Sequence, residues 1–226
     1  MTMNVIHTGP LCVNTYVVPL NGPDVFIVDC GACKMCGDEN EVTRFLSEKK
    51  LNPVAVVQTH GHFDHVAGLT HLADCYPNIQ IAIHKNDAAF IGRNSGVLQS
   101  ESLYAMSFEG FIPAVSNLPE PTSFLADGKT LAECFLTDSF SCKTKEALGE
   151  WSVIYTPGHS PGSVCIYDKK NGVLISGDTL FYQSYGRTDL PGGDEILMQQ
   201  SLHTLDKIIP RGTLIYPGHD SYGFKF

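Results

Sequence analysis

The order of apolar and polar positions along the first part of the chain predicts alternating strands and helices. Short apolar runs bounded by turn residues such as Asn21-Gly22-Pro23 are typical of strands, and apolar residues at a spacing of three to four are typical of helices. The predicted strands are 14–20, 25–28, 54–57 and 79–84, and the predicted helices are 39–50 and 67–76. This alternation favours an α/β fold, in which helices pack on the faces of a sheet.

The pattern weakens in the middle of the chain and becomes clear again at Trp151. Because Gly, Ser and Pro are scattered through the middle, we predict a helix near 87–91, mostly loop from there to 128, and a hairpin with a variable insert over 129–150. The later strands are predicted at 151–155, 163–167, 173–176 and 213–216, with one helix at 194–209. No repeat and no linker interrupts the order, so residues 1–226 are predicted to form a single domain.

Composition narrows the classes of partner. The chain carries 15 Lys and Arg against 24 Asp and Glu, a formal net charge of −9, which disfavours nucleic acid as a partner. No apolar stretch reaches the roughly 18 residues of a membrane span, and no Lys or Arg precedes the first apolar residues as in a secretory signal. We therefore expect a cytoplasmic protein that contacts no membrane.

Eight cysteines are many for such a protein. Disulfide-rich chains are usually short and secreted, so reduced thiols are expected here. Cys30, Cys33 and Cys36 form two overlapping Cys-x-x-Cys pairs. These pairs are compatible with metal binding, with a redox disulfide, or with ordinary loop thiols.

The densest group of potential metal ligands follows the predicted strand 54–57. The segment His60-Gly61-His62-Phe63-Asp64-His65 holds three imidazoles and one carboxylate within six positions. Nitrogen and oxygen ligands of these kinds suit zinc, iron or manganese. A loop after a strand can turn alternate side chains such as His60 and His62 towards one point.

Three further residues strengthen a metal-site hypothesis. His159, Asp178 and His219 each follow a predicted strand and each has a glycine immediately before it. Glycine permits a tight backbone close to a crowded centre. Because α/β proteins place ligands at one edge of the sheet, we expect these residues to meet the His60–His65 segment there.

Together these residues resemble the metallo-β-lactamase fold superfamily, and the resemblance extends over nearly the whole chain. It implies a four-layer αββα sandwich with a metal site at one edge of its two sheets. It also implies that one metal ion is held by His60, His62 and His159, and a second by Asp64, His65 and His219, with Asp178 bridging both. Asp29, at the end of its predicted strand, is similar to the superfamily aspartate that orients these ligands.

The segment from Gly177 to Gly193 resembles the short, single-domain members of the glyoxalase II group, the hydroxyacylglutathione hydrolases. That resemblance implies two divalent cations, zinc first and iron or manganese as alternatives, and a hydroxide between them that attacks a small thioester, possibly a glutathione conjugate. Asp64 and Asp178 take the catalytic roles in this hypothesis. Arg187 stands where the group has a basic residue that contacts the glutathione carboxylate.

Two differences from the glyoxalase II group leave other metal-dependent enzymes open as alternatives. The helical C-terminal region that binds glutathione in two-domain glyoxalase II enzymes has no counterpart after His219 in this sequence. The Cys30–Cys36 segment also differs from the group. The main alternative is a mononuclear iron persulfide dioxygenase, which resembles glyoxalase II in the same motif, and a further one is a lactonase or related metal-dependent hydrolase.

Overall fold

A computed structural model describes residues 3–136, 138 and 140–226, and two sheets form its centre. The first sheet has six strands that lie side by side in chain order. They are β1 (Asn4–Thr8), β2 (Val13–Pro19), β3 (Asp24–Val28), β4 (Asn52–Val57), β5 (Gln80–His84) and β6 (Ser123–Leu125). The first three strands pair antiparallel, and β3 to β6 pair parallel.

The second sheet is built from the later part of the chain. Its strands are β7 (Trp151–Tyr155), β8 (Val164–Asp168), β9 (Val173–Gly177), β12 (Leu214–Pro217) and β13 (Phe224–Lys225), in the order β13-β12-β9-β8-β7. Only β9 and β12 pair parallel. A small hairpin, β10 (Leu180–Phe181) and β11 (Ser184–Tyr185), lies between β9 and the last long helix.

Eight α-helices connect or cover the strands. They are α1 (Glu41–Lys49), α2 (Phe63–Val66), α3 (Leu69–Cys75), α4 (Ser95–Ala105), α5 (Ile112–Val115), α6 (Leu131–Cys134), α7 (Cys142–Leu148) and α8 (Glu195–Ile208) within the described residues. Three 3₁₀ helices add short turns at Lys34–Cys36, Lys85–Phe90 and Glu109–Phe111. No helix in this described part of the chain is long and apolar enough to cross a membrane.

Three apolar cores separate four layers. Leu46 of α1 and Leu72 of α3 pack on the outer face of the first sheet. Phe26 of that sheet meets Trp151 of the second sheet in the middle core, edge to face, with ring centroids 5.2 Å apart. Leu205 of α8 covers the outer face of the second sheet. Helix, sheet, sheet and helix therefore follow one another, which confirms the predicted αββα sandwich.

Strand β3 is apolar at successive positions because both of its faces are buried. Val25 and Ile27 point into the core beneath the helices, whereas Phe26 and Val28 point into the core between the sheets. Successive side chains of a strand alternate faces, and here both faces are buried. Each such side chain contributes about 1.5–3 kcal/mol through burial.

The loop predicted over the residues before 128 was wrong, because α4, α5 and β6 lie there. Helix α4 is hard to recognise because apolar side chains such as Val97 lie on its exposed side and Gln99 and Ser102 are buried. Ser95 Oγ donates to the carbonyls of Gly92 and Val115, at 2.8 and 2.5 Å, and so fixes the start of the helix.

The hairpin predicted over 129–150 was also wrong, since α6 and α7 occupy the segment, of which residues 137 and 139 lie outside the description. Helix α6 begins with a capping box: Thr130 accepts from the Glu133 amide and Glu133 accepts from the Thr130 amide. Ser141 caps α7 by accepting from the Thr144 amide at 3.1 Å.

Candidate metal centre

The predicted ligands lie where strands of both sheets end at a common edge. His60 and His62 follow β4, and Asp64 and His65 lie in the single turn α2 just after them. The remaining three follow three strands of the second sheet, in the order His159 after β7, Asp178 after β9 and His219 after β12. The structure therefore brings all seven residues together from both sheets.

Three imidazoles form the first group, which we call the His cluster: His60, His62 and His159. His62 Nδ1 lies 2.8 Å from His159 Nε2, and His159 Nε2 lies 3.2 Å from His60 Nε2. All three side chains are buried. Their facing nitrogen atoms all lie within 4.8 Å of one another, as atoms around a single cation would.

The second group, Asp64, His65 and His219, is called the Asp–His cluster. His219 Nε2 lies 3.3 Å from Asp64 Oδ2 and 3.2 Å from His65 Nε2. Its ligand atoms also fall within 4.8 Å of one another. Imidazole and carboxylate are mixed here, whereas the His cluster contains imidazole alone.

Asp178 lies between the two clusters. Its Oδ2 is 3.5 Å from His159 Nε2 and 3.4 Å from His219 Nε2, and its Oδ1 is 3.4 Å from His65 Nε2. One carboxylate therefore touches both groups. This position agrees with the bridging role that the resemblance implies for Asp178.

Unsatisfied polar atoms test whether these residues suit metal ions. His62 Nε2 and Asp178 Oδ1 are buried and make no hydrogen bond. Within the clusters, imidazole nitrogens face each other at 2.8–3.2 Å, so that either a proton or a cation must lie between each pair of lone pairs. A buried polar group without a partner is costly. The donor set fits divalent metal ions, which imidazole and carboxylate ligands bind.

Burial keeps two imidazoles of the His cluster, those of His60 and His62, neutral. It lowers the pKa of His62 to about 3 and that of His60 well below its usual range, because the charged form loses solvation. Neighbouring imidazoles lower both pKa values further. Neutral imidazole is the form that binds a metal, so these side chains are ready to bind one at neutral pH.

The Asp–His cluster has the opposite electrostatics. Burial lowers the pKa of His65, but the nearby carboxylates of Asp178 and Asp64 outweigh it and raise the pKa well above its usual range. Burial likewise opposes the rise at His219, whose hydrogen bonds with Asp178 and Asp64 bring its pKa to about 10. Without a metal ion, protons on these imidazoles balance the carboxylates.

Asp29 holds the Asp–His cluster from behind. Its Oδ2 accepts from His65 Nδ1 and from Thr59 Oγ1, and its Oδ1 accepts from the Thr59 amide, each at 2.8 Å. Asp29 is buried and adopts a φ of +58°. A non-glycine residue in this left-handed region carries strain, which is common at functional sites. The contact fixes which nitrogen of His65 faces the cluster.

Asp87 supports the His cluster, although no sequence motif indicates this role. It lies in the 3₁₀ helix Lys85–Phe90 with no exposed surface. Its Oδ2 accepts from the Gly61 amide at 2.9 Å and from Ser160 Oγ at 2.6 Å, and its Oδ1 accepts from the Gly162 amide at 2.6 Å. Asp87 thus joins the loop of His60 and His62 to the loop of His159. Burial raises its pKa, and the three hydrogen bonds offset part of that rise.

Backbone carbonyls orient two more ligands. His159 Nδ1 lies 2.8 Å from the Arg187 carbonyl, and His219 Nδ1 lies 3.0 Å from the Leu11 carbonyl. In each ring Nδ1 donates to the carbonyl, so Nε2 is the atom that faces the centre. Arg187 therefore contributes its backbone to the site, which the sequence did not predict.

The Arg187 side chain is exposed and paired. Its Nε lies 2.7 Å from Asp189 Oδ1, and its terminal nitrogen lies 2.8 Å from Asp189 Oδ2. The pairing raises the pKa of Arg187 and lowers that of Asp189 to about 2. Exposed pairs of this kind contribute about 0–1 kcal/mol, so Asp189 does not hold the guanidinium firmly against a competing carboxylate.

Two glycines allow the loops to approach. A Cβ on Gly218 would collide with Asp178 Oδ1 and stand 2.7 Å from His65 Cε1. Gly177 has a φ of +49°, and a Cβ there would lie 2.6 Å from Thr59 Cβ. The predicted need for glycine before Asp178 and His219 thus has a steric cause.

A cleft of about 370 Å³ opens onto both clusters. Four apolar side chains lie along its wall: Leu11, Met106, Phe181 and Leu190. The ligands His62, Asp64, His159, Asp178 and His219 also line it, and Arg187 lies at the same cleft. Its size and mixed lining are typical of small-molecule sites.

Known proteins resemble the chain over nearly its whole length. The family model for the metallo-beta-lactamase superfamily matches residues 8–137 and 143–219. The probable metallo-hydrolase YqgX of Bacillus subtilis is 29% identical over 211 residues, with 93% of this chain and 86% of that protein aligned. Glyoxylase B2 of Dictyostelium discoideum is 27% identical over 186 residues, covering 81% of this chain and 55% of that protein.

Solved structures show the same architecture. The B3 metallo-beta-lactamase BLEG-1 superposes with a TM-score of 0.78 at 28% identity, covering 99% of this chain and 94% of that one. TTHA1623 in a di-iron-bound form superposes with a TM-score of 0.75 at 27% identity, covering 96% and 92%.

Proposed function

The chain belongs to the metallo-β-lactamase superfamily, and on that premise we propose that it is a dinuclear hydrolase that cleaves the thioester of a small hydroxyacyl-thiol. A hydroxyacyl-glutathione is the first candidate substrate. The observation that carries the proposal is the meeting of seven histidine and aspartate side chains from both sheets at one cleft.

The ligand sets divide the metal ions between the two clusters. We assign one ion to the His cluster and one to the Asp–His cluster, with Asp178 between them. Zinc is the first choice because imidazole and carboxylate ligands suit it. The di-iron form of TTHA1623 supports iron as the alternative. When bound, such cations polarise a carbonyl and lower the pKa of water enough to generate a nucleophile at neutral pH.

The remaining work falls to residues of this chain. Asp29 and Asp87 keep the imidazoles in position behind the two clusters. Asp64 and Asp178 line the cleft, so their carboxylates would hold the metal ions and face a substrate carbonyl bound there. The apolar wall of the cleft excludes water from the acyl group. No side chain has to act as the nucleophile.

Arg187 is the group that we assign to the thiol part of the substrate. Its guanidinium is exposed at the cleft and paired with the exposed Asp189. A guanidinium binds a carboxylate through paired hydrogen bonds, and a glutathione carboxylate can compete for it. The likeness to Glyoxylase B2 supports the same class of substrate.

The net charge bears on the class of partner, and the cysteines bear on the cellular compartment. We propose that residues 1–226 act as one domain on a small molecule and not on nucleic acid, since the net charge is −9. All eight cysteines are free thiols, which supports a location such as the cytoplasm.

The test is a metal count paired with a substrate panel on the purified protein. We expect about two divalent ions per chain and hydrolysis of S-lactoylglutathione that a chelator abolishes. A simple acyl thioester, a lactone and a β-lactam complete the panel, the last because BLEG-1 is a lactamase. A single iron per chain with oxygen consumption on a glutathione persulfide would replace our proposal with the dioxygenase.

The Asp178→Ala variant is the decisive mutant. We expect it to lose metal and at least about a thousandfold in kcat/KM, because Asp178 touches both clusters. Asp206→Ala is its matched control, since Asp206 is an exposed acid paired with Arg211 away from the cleft. Thioester hydrolysis that persists in Asp178→Ala after both metal ions are gone would contradict the mechanism.

A further inference from the structure

A separate group of potential ligands lies in the loop between β3 and α1. Cys33 Sγ is 3.5 Å from Cys36 Sγ, and both sulfurs lie within 4.8 Å of a carboxylate oxygen of Asp38. The 3₁₀ turn Lys34–Cys36 brings the two thiols to the same side, and Gly37 follows with a φ of +74°. This group contains sulfur, whereas the centre at the sheet edge contains nitrogen and oxygen alone.

Asp38 is held rigidly and retains room for a cation. Its Oδ1 accepts from the Cys33 amide at 2.8 Å, and its Oδ2 accepts from the Gly9 amide at 2.6 Å. A carboxylate has about four lone-pair sites, so each oxygen keeps one free. Within the described part of the chain, no lysine or arginine forms an ion pair with Asp38.

The exposed Cys12 stands beside this group. It belongs to the turn between β1 and β2, the same turn whose Gly9 amide donates to Asp38. The Cys12 amide donates to the Gly9 carbonyl at 3.3 Å. Asp38 therefore anchors the turn that carries Cys12, and we take the third sulfur from this turn.

We propose that Cys33, Cys36 and Asp38, completed by Cys12, bind a thiophilic divalent cation such as zinc. Three thiolates and one carboxylate make a four-ligand set, the number found in structural zinc sites. A pair of cysteines separated by two residues is the usual spacing in such sites.

The alternative use of the same thiols is a disulfide between Cys33 and Cys36. Disulfide formation begins with attack by a thiolate, and one feature disfavours a thiolate in the metal-free turn. The Asp38 carboxylate lies within 4.8 Å of both sulfurs and places negative charge beside them. A bound cation removes this penalty because it stabilises the deprotonated thiols directly.

A metal ion there would join two segments that support the catalytic centre. One is the turn after β1, where the Leu11 carbonyl lies 3.0 Å from His219 Nδ1. The other follows Asp29, where the Cys30 amide donates to the His65 carbonyl at 2.7 Å. The site therefore has a structural role: it fixes the loops behind the Asp–His cluster.

Cobalt titration of the metal-free full-length protein tests the proposal. Cobalt bound by thiolate gives an intense charge-transfer absorption in the near ultraviolet, which nitrogen and oxygen ligands do not give. We expect this absorption to account for one thiolate-bound ion per chain, in addition to the ions bound at the sheet edge. We expect Cys36→Ser to lose it together with one equivalent of bound metal, and Cys12→Ser to weaken it.

Two cysteines far from the turn provide controls. Cys75→Ser and Cys142→Ser change exposed thiols outside the group and should keep the signal. Cys36 is exposed as well, so its replacement by serine leaves the core intact. The thiolate absorption is independent of substrate turnover, so this test stands even if the proposed thioesterase activity is absent.

The outcomes are distinct. Loss of the absorption in Cys36→Ser, with the signal kept in Cys75→Ser and Cys142→Ser, supports the site. Absence of the absorption in the reduced wild-type protein overturns it. The proposal is also overturned if the chain isolated without reductant is lighter by two hydrogen atoms and a peptide map shows a Cys33–Cys36 bond. In that case, reduction must restore the mass without restoring cobalt binding.

Discussion

The two halves of the catalytic centre differ in what balances their charge. In the His cluster, burial keeps His60 and His62 neutral, and the pKa of His62 falls to about 3. In the Asp–His cluster, carboxylates outweigh burial, and the pKa of His219 rises to about 10. The two clusters share a cleft, and Asp178 contacts both, yet one is prepared for a cation and the other is filled by protons.

This difference in charge balance predicts that the two clusters bind metal in a definite order. A neutral imidazole set binds a cation without first losing protons, whereas a protonated set exchanges protons for metal. We therefore expect the His cluster to fill first at neutral pH. The supports follow the same division, since Asp87 holds the loops of the His cluster and Asp29 holds His65.

Among substitutions that leave every proposed ligand in place, the largest effect is expected from Gly218→Ala, which removes the difference by damaging both clusters. The added Cβ would collide with Asp178 Oδ1, and a displacement of about 1 Å at a reacting centre costs about a hundredfold in rate. We expect a loss of at least that size in kcat/KM, with less than one metal ion bound per chain. Gly110→Ala is the control because nothing lies within 4 Å of its Cβ position. Full metal content in Gly218→Ala would show that the shared carboxylate tolerates displacement.

Replacing Asp29 or Asp87 alone should weaken metal binding at one cluster and leave it unchanged at the other. Asp29→Asn keeps a side chain that tolerates the left-handed backbone but removes the charge beside His65. Asp87→Asn places an amide NH₂ against the donors of Gly61 or Gly162. Loss of such a support costs about 10- to 100-fold in metal affinity. We expect only the weaker binding step to suffer in Asp29→Asn, and the tighter step in Asp87→Asn, as measured by chelator competition. Equal losses at both steps in either variant would show that the clusters are not supported separately.

The pH dependence of metal affinity gives a third comparison. His65 and His219 have raised pKa values, so they are protonated at neutral pH and must release protons when metal binds. Their affinity should rise with pH, by up to about tenfold per unit for each proton released. The His cluster should be nearly flat between about pH 6 and about pH 8, because His60 and His62 are already neutral there. Stepwise affinities across this range, with proton release measured in two buffers, would check the sign. A steeper slope for the tighter step would reverse our assignment.

The smallest effect is expected outside both clusters, at Arg187. Arg187→Ala removes the guanidinium but keeps the backbone carbonyl that contacts His159. We expect KM for a glutathione thioester to rise about twofold to tenfold, since exposed charge pairs are weak, with metal content and kcat unchanged. Arg44→Ala is a matched control, because Arg44 is also exposed and paired with a nearby acid, Glu41. An unchanged KM would remove Arg187 from the substrate site.

The sequence predicts well which side chains meet at the cleft, because each follows a recognisable strand. His60, His159, Asp178 and His219 follow apolar runs that are recognisable alone, and strand ends in such folds gather at one edge. The same reasoning places Asp29 at that edge. The assignment of these residues as metal ligands is still a prediction, because the distances join side-chain atoms and not metal ions.

The supports behind the ligands could not be predicted in the same way. Asp87 lies in a short 3₁₀ helix, and its importance comes from the Gly61 and Gly162 amides, which are far from it in sequence. Helix α4 was missed because its inner face includes polar Gln99, which donates to the Gly61 carbonyl at 2.6 Å. In contrast, the capping box at Thr130 was present in the sequence as Thr-x-x-Glu and could have indicated α6.

The contact between Leu11 and His219 spans 208 positions of the chain. Nearby, Asn14 Nδ2 and Tyr16 OH donate to the Pro217 carbonyl at 3.0 and 2.6 Å. Contacts between such distant positions form late, since the whole intervening segment must be ordered first. During synthesis, the turn after β1 leaves the ribosome early and waits for its partner until His219 has been made. The Asp–His cluster is therefore among the last parts of the fold to be completed.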